Sequence, residues 1–216
     1  MNLIDLVLLI GVVACAAWAA KRGFLRMLFI TLALAVAIII AVHYNDGFTR
    51  ELAAYFHASP IWVSMWAFVL SSMLLFALFR LLARLFSRAV NVQKVGKYDQ
   101  FGGAVVGLIF GWVMMGYLLF LVMFLPLPYA LEQKFDTTVL ANKMGASIPF
   151  LYEASAKLHP SQDDFMAKME QSLSGAMQYA KSTQSARRRA KSGATDQARV
   201  NDFLGRIERY FASTDY

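Results

Sequence analysis

Four long apolar segments, separated by short polar stretches, dominate the first part of the chain. They cover residues 3–20, 24–44, 61–79 and 101–125. A helix rises about 1.5 Å per residue and needs about 20 apolar residues to cross the hydrocarbon core of a bilayer. The pattern therefore predicts an all-α integral membrane protein with four transmembrane helices.

The polar segments between these runs predict how the helices are joined. Lys21-Arg22-Gly23 separates the first two runs, and so short a connection predicts a tight antiparallel hairpin. Residues 45–59 are expected to form a polar loop. Pro60 suits the first turn of the third helix, where a missing amide hydrogen costs nothing. Residues 91–100 form the predicted connector before the fourth helix.

Glycine recurs at every fourth position in the fourth apolar run, at Gly103, Gly107 and Gly111. Residues four apart lie on one face of a helix, so the three glycines predict a shallow groove along one side. Within lipid, faces of small residues mark the places where helices approach closely, and we expect this face to pack on another helix. Ile109 and Trp112 belong to the opposite face, which suits lipid.

The composition places the chain among membrane proteins. It is 58% hydrophobic and 16% charged, whereas soluble domains average about 45–50% apolar and about 25% charged residues. The apolar excess ends at Pro126. This boundary divides the chain into a four-helix transmembrane domain, residues 1–125, and an extramembrane region of helices and linker, residues 126–216, which we expect to be a partly helical C-terminal tail.

Within the tail, hydrophobic periodicity predicts short helices. Residues 139–158 suit a helix interrupted near Pro149, and residues 161–164 resemble a capping box in front of an apolar stripe. Residues 181–193, rich in Arg, Ser and Ala, are expected to be a linker. A last amphipathic helix is predicted to start at Thr195 or Asp196. The apolar residues of the stripe and of the last helix are Phe165, Met169, Leu173, Met177, Val200, Phe203, Leu204, Ile207, Tyr210 and Phe211.

The formal net charge of +7 would favour nucleic-acid binding in a soluble protein. Here the Lys and Arg residues are needed to orient the helices and to contact anionic lipid, so no nucleic-acid partner is expected. The first and third connections hold most of the basic residues near the membrane, and the positive-inside rule places both in the cytoplasm. Both termini are then predicted on the periplasmic, outer side. The basic residues are Lys21, Arg22, Arg26, Arg80, Arg84, Arg88, Lys94 and Lys97, against Arg50 alone in the second connection.

Three groups of charged residues are candidates for function. Asp5, near the membrane edge of the first run, either caps a helix, pairs with a basic residue or takes part in ion or proton movement. The turn of Lys21, Arg22 and Gly23, with Arg26, either anchors the topology or binds a lipid headgroup or a partner. The arginine stripe is either a solvated helix end or a lipid contact; it comprises Arg80, Arg84 and Arg88.

The sequence lacks a recognisable catalytic, cofactor-binding or metal-binding motif. His43, His57 and His159 do not have the spacing of metal ligands, and the nucleophile elbow, the zinc-protease motif and the P-loop are absent. The single cysteine, Cys15, excludes a multi-cysteine metal site. We therefore expect a protein without enzymatic activity and without a cofactor.

Three short stretches resemble the colicin V production protein (CvpA) family. They are Asn2-Leu3-Ile4-Asp5, Lys21-Arg22-Gly23-Phe24-Leu25-Arg26, and residues 99–111, which begin Asp99-Gln100-Phe101-Gly102-Gly103. The likeness covers about residues 1–125, with Phe110 standing where members of the family often carry arginine. The resemblance implies a small bacterial inner-membrane protein with four helices, and it adds Asp99 and Gly102 to the candidate functional residues.

The resemblance also associates the chain with colicin V production, hence with toxin biosynthesis or export, and with envelope homeostasis. We expect an accessory protein or scaffold whose partners are membrane lipids and other membrane proteins. The alternative is a small channel or transporter subunit, formed by homo-oligomers through the glycine face.

Overall fold

The structure is a computed structural model, which describes residues 3–55, 59–89, 96–125, 135, 138–156, 164–183 and 186–209. Within these ranges the chain is helical apart from short turns. The helices are α1 Leu3–Ala20, α2 Phe24–Tyr55, α3 Pro60–Ala89, α4 Lys97–Met123, α5 Val139–Gly145, α6 Ser147–Ala154, α7 Phe165–Thr183 and α8 Ala186–Ile207. The capping box predicted at residues 161–164 lies mostly outside the described residues.

The first four helices are each long and apolar enough to cross a membrane, which confirms the predicted fold class. They run alternately up and down, so the bundle has two ends. We call one the basic end; it holds the turn Lys21–Gly23, the second half of α3 and the start of α4. The other is the Asp5 end, where α5 to α8 pack on the bundle.

The helices pair differently from the order in which they are connected. α1 packs chiefly on α4, and α2 packs chiefly on α3, whereas α1 and α2 contact each other only slightly. The predicted tight hairpin of α1 and α2 is therefore wrong, although the turn between them is short. The reason is that the small residues of α4 let its backbone approach α1 closely, while α2 meets α4 only along part of its length.

The predicted polar loop after the second span is also wrong, because α2 continues through residues 45–55. This part of the helix is polar, yet several of its polar side chains have partners. Asn45 and Thr49 are fully buried against α3 and α7, and Arg50 pairs with Asp46 one turn earlier at 2.7 Å. Hydrogen bonds to neighbouring helices thus let α2 extend past the apolar run.

The fourth helix begins at Lys97, so the last residues of the predicted connector are helical. In the tail, the break near Pro149 is confirmed. α5 ends at Gly145 and α6 begins at Ser147, which places Pro149 in the first turn of α6, where proline is tolerated.

The predicted linker at residues 181–193 is wrong, because α7 runs to Thr183 and α8 already starts at Ala186, well before Thr195. Alanine and arginine are among the strongest helix formers, which outweighs the serines and the one glycine of this stretch. Tyr210 and Phe211, the last members of the predicted apolar set, lie outside the described residues.

An aromatic core joins the tail to the bundle at the Asp5 end. The ring of Phe120 on α4 lies 5.1 Å from that of Phe68 on α3 and 5.7 Å from that of Phe165 on α7, centroid to centroid. Phe203 of α8 packs on Phe124 at 4.4 Å. These side chains are almost fully buried, so the tail helices bury their apolar faces against the membrane bundle of the same chain.

Candidate functional site

The turn between α1 and α2 is the most constrained piece of backbone at the basic end. Gly23 has a φ of 85°, a left-handed conformation that side chains other than glycine rarely adopt. Its carbonyl oxygen accepts the amide hydrogen of Met27 at 3.1 Å, so Gly23 also opens α2. The sequence Lys21-Arg22-Gly23 is thus a sharp corner that ends one helix and starts the next.

Asp99 of α4 locks this corner. Its carboxylate oxygen Oδ1 accepts the backbone amide hydrogen of Phe24 at 2.8 Å. Free amides at the start of a helix need an acceptor, and here a carboxylate from another helix provides it. A Cβ at Gly23 would overlap Oδ2 of Asp99. Two of the three stretches that carry the family resemblance, far apart in sequence, therefore meet in one contact.

The glycines of α4 bring its backbone against the same corner and against α1. A Cβ at Gly102 would lie 3.0 Å from the Phe24 ring, and one at Gly103 would lie 2.9 Å from the carbonyl oxygen of Ala19. Further along, a Cβ at Gly107 would overlap the Cβ of Ala19 and lie 2.9 Å from the Cα of Ala16. Backbone atoms of both α1 and α4 take part in this close contact.

Gly111 completes this line, since its Cβ would lie 3.0 Å from the Cβ of Cys15 and 3.0 Å from the Cα of Val12. The structure therefore places all three glycines of the four-residue repeat against α1 of the same chain. The opposite face of α4 is open: Ile109 is 56% exposed. It borders an apolar groove of about 690 Å³ that Leu108, Trp112 and Phe150 also line.

Four arginines converge at the basic end from the turn, α2 and α3. Arg22 and Arg26 line a shallow cleft together with Arg80 and Arg84. Partial burial lowers the pKa of the Arg22 guanidinium, and the like charges of the other three arginines lower it further. Lys21 is exposed beside them. The side chain of Arg88, the last arginine of the predicted stripe, lies outside the described residues.

Asp5 lies at the other end of the bundle and is only 5% exposed. Its carboxylate oxygen Oδ1 accepts the backbone amide hydrogen of Leu140 at 3.1 Å. Leu140 lies in the first turn of α5, so Asp5 caps a helix that follows it by more than a hundred residues. Helix capping was one of the readings that the sequence left open for Asp5, and the capped helix is α5 rather than its own α1.

A buried hydrogen-bonded cluster between α2, α3 and α7 is absent from the sequence-based candidates. The side-chain amide nitrogen of Asn45 donates to the hydroxyl of Ser172 at 2.8 Å and to that of Ser64 at 3.2 Å. Thr49 Oγ1 lies 3.1 Å from the same Ser172 hydroxyl. Asn45 and Thr49 are one helical turn apart, a signal that a helical reading of residues 45–55 would have revealed.

Gly116 of α4 is also absent from the candidates selected from the sequence. A Cβ there would overlap the carbonyl oxygen of Met144 and the hydroxyl of Ser147. Gly116 thus lets the junction of α5 and α6 lie directly on α4, about 10 Å before α4 ends, at 1.5 Å per residue. It follows Gly111 by five residues and therefore falls outside the four-residue repeat that drew attention to the other glycines.

Among the described residues, no group of three or more His, Cys, Asp or Glu side chains is placed to hold a metal ion. The acidic side chains that stand out near the spans, Asp5 and Asp99, each accept a backbone amide hydrogen at a helix start. The arrangement as observed fixes helices relative to one another and concentrates positive charge at one end.

A comparison with protein families identifies a match. The family model described as Colicin V production protein matches residues 4–149 of the chain. The match extends beyond the four spans and includes α5 and the start of α6. No curated protein and no solved structure matched the chain.

Proposed function

The chain belongs to the colicin V production protein family, and on this basis we propose that it is a non-enzymatic accessory protein of the bacterial inner membrane. Its process is the production or export of a toxin of the colicin V type, or envelope homeostasis. It acts as a scaffold that holds a fixed surface towards lipids and membrane-protein partners. The family membership and the four spans support a multi-pass membrane protein; the accessory role is inferred from the site.

The observation that carries this proposal is that both acidic candidates, Asp5 and Asp99, accept backbone amide hydrogens. A carboxylate that moves protons or ions must be able to change its partners. Asp5 is held on the amide of Leu140 and Asp99 on the amide of Phe24, each at the start of a helix. Both groups thus join parts of the chain that are distant in sequence. This is the chemistry of a rigid scaffold.

The glycine face bears on the alternative of an oligomeric channel. Gly103, Gly107 and Gly111 lie against α1 within one chain. A homo-oligomer would therefore have to form through another surface, so the glycine repeat does not support an oligomeric pore. The accessory role is the better proposal.

Substitution of Asp5 by asparagine distinguishes the two roles. Asparagine caps helix starts about as well as aspartate but cannot carry a proton. We expect Asp5→Asn to restore toxin secretion and detergent resistance to a deletion strain as well as the wild type does. Asp5→Leu, which removes the acceptor, should fail or lower the amount of folded protein. The purified wild type in liposomes should leave proton flux at the level of protein-free vesicles.

The opposite pattern would contradict the proposal. If Asp5→Asn loses all function at normal membrane levels, or if proton flux rises in proportion to the wild-type protein and vanishes in Asp5→Asn, Asp5 has an ion or proton role.

The orientation of the bundle is tested by thiol labelling on intact cells. In a Cys15→Ser background, Ser174→Cys reports on the Asp5 end and Tyr98→Cys on the basic end, since both positions are exposed. The positive-inside rule places the basic end in the cytoplasm. An impermeant reagent should therefore label Ser174→Cys alone, and Tyr98→Cys only after the cells are opened. Labelling of Tyr98→Cys alone on intact cells would reverse the orientation.

A further inference from the structure

The arginine cleft at the basic end gathers four like charges at the edge of the candidate spans. Arg26 lies in the first turn of α2, and Arg80 and Arg84 lie one turn apart near the end of the candidate span of α3. Asp99, the acid of this corner, has an oxygen engaged by the amide of Phe24. Converging guanidinium groups repel one another, and an anion bound between them offsets this electrostatic repulsion.

The floor of the cleft is apolar. Phe29, Ile30 and Ala83 line it together with the arginines, and Phe29 is 41% exposed. Along α2, Phe29 and Ile30 lie about one turn further into the candidate span than Arg26 does. The cleft therefore presents positive charge at the membrane surface and an apolar wall towards the membrane interior.

Trp18 supports one of the arginines from the side. The guanidinium carbon of Arg22 lies 3.8 Å from the centroid of the Trp18 ring, in a cation–π contact. Tryptophan is enriched at the level of lipid headgroups. This contact holds the Arg22 guanidinium beside the cleft and marks the depth of the cleft as that of the interface.

We propose that the cleft between the α1–α2 turn, α2 and α3 is a binding site for an anionic phospholipid. The guanidinium groups of Arg22, Arg26 and Arg84 bind the headgroup phosphate, and Phe29 contacts the upper part of an acyl chain. Guanidinium groups suit this task because their planar donors bind two phosphate oxygens at once. The apolar floor favours the lipid over free inorganic phosphate, which has no group to place on Phe29.

The test measures lipid retained by the purified full-length protein in neutral detergent, using native mass spectrometry with equal concentrations of phosphatidylglycerol and phosphatidylcholine. The wild type should retain phosphatidylglycerol preferentially. Each basic residue beside an anionic lipid contributes about a fivefold factor in affinity, so Arg26→Gln combined with Arg84→Gln should weaken retention about thirtyfold. Retention of phosphatidylcholine should not change.

Arg50→Gln is the matched control, because Arg50 is an exposed arginine at the Asp5 end of α2. It should leave the preference for phosphatidylglycerol unchanged; an equal loss in this variant would overturn the proposal. Displacement of phosphatidylglycerol by an equimolar amount of inorganic phosphate would also overturn it, since the site would then bind the free ion.

A second variant keeps the test valid if the glutamine pair does not fold. Arg26→Lys combined with Arg84→Lys conserves the charge and removes the planar two-pronged donors. Circular dichroism checks that this pair is folded. Weaker retention of phosphatidylglycerol than in the wild type supports phosphate binding by the guanidinium groups, and retention equal to the wild type overturns it.

Discussion

Gly107→Leu should strongly destabilise the membrane bundle. The Cβ alone would overlap the Cβ of Ala19 and lie 2.9 Å from the Cα of Ala16. Backbone atoms of α1 cannot move aside as a flexible side chain can, so α1 and α4 must separate. Overpacking costs about 1–3 kcal/mol in a well-packed core, and we expect a value near the upper limit. The measurement is the free energy of unfolding in a mixed-detergent titration.

Ile109→Leu is the matched control, because it lies on the opposite face of the same helix and is 56% exposed. Both variants end in leucine, so their hydrophobicity within the span is similar and both should insert. The control should unfold like the wild type. Equal unfolding free energies for Gly107→Leu and Ile109→Leu would mean that the close contact of α1 with α4 does not stabilise the protein.

Gly23→Ala should also have a large effect. A left-handed φ costs a residue with a Cβ about 1–2 kcal/mol, and Gly23 has a φ of 85°. The new methyl group would also overlap Oδ2 of Asp99 and displace the carboxylate from the Phe24 amide, a cap worth about 1 kcal/mol. We expect a total loss of about 2–3 kcal/mol in the free energy of unfolding.

Gly47→Ala is the control for this change, because a Cβ at Gly47 has no atom within 4 Å and the residue lies inside α2. It should be neutral or stabilising by about 0.5–1 kcal/mol, as is usual when glycine in a helix becomes alanine. Combining Gly23→Ala with Asp99→Ala should cost less than the sum of the two, since the clash disappears with the carboxylate. An additive result would show that Gly23 and Asp99 act independently.

The arginine cleft illustrates which features of the candidate site can be predicted from the sequence. Arg22, Arg26, Arg80 and Arg84 could be selected from the sequence, because positive charge next to an apolar run is a local property. Their convergence could not, since it depends on the packing of α2 beside α3. The same holds for Asp5: its position near a membrane edge was evident, but its partner Leu140 is more than a hundred residues away.

Apart from the α1–α2 hairpin, the wrong predictions came from assigning polar residues to loops. Residues 45–55 and 186–193 are helical although their composition is that of connections. In the first case the polar side chains of Asn45 and Thr49 find hydrogen-bond partners on other helices. A short stretch of sequence does not show such partners, so polar residues in it are predicted to face water in a loop.

The four spans and the glycine face follow from the amino-acid sequence alone, because bilayer thickness and helical periodicity act on each segment separately. The positions of the basic residues next to the spans follow from it too. The pairing of α1 with α4, the contact of Asp99 with the Gly23 corner and the capping of α5 by Asp5 emerge only from the packing of the whole chain. Hydrophobicity does not determine which transmembrane helices pair, because lipid is as apolar as the helices. Pairing therefore depends on close backbone contact and on single hydrogen bonds between residues far apart in the chain.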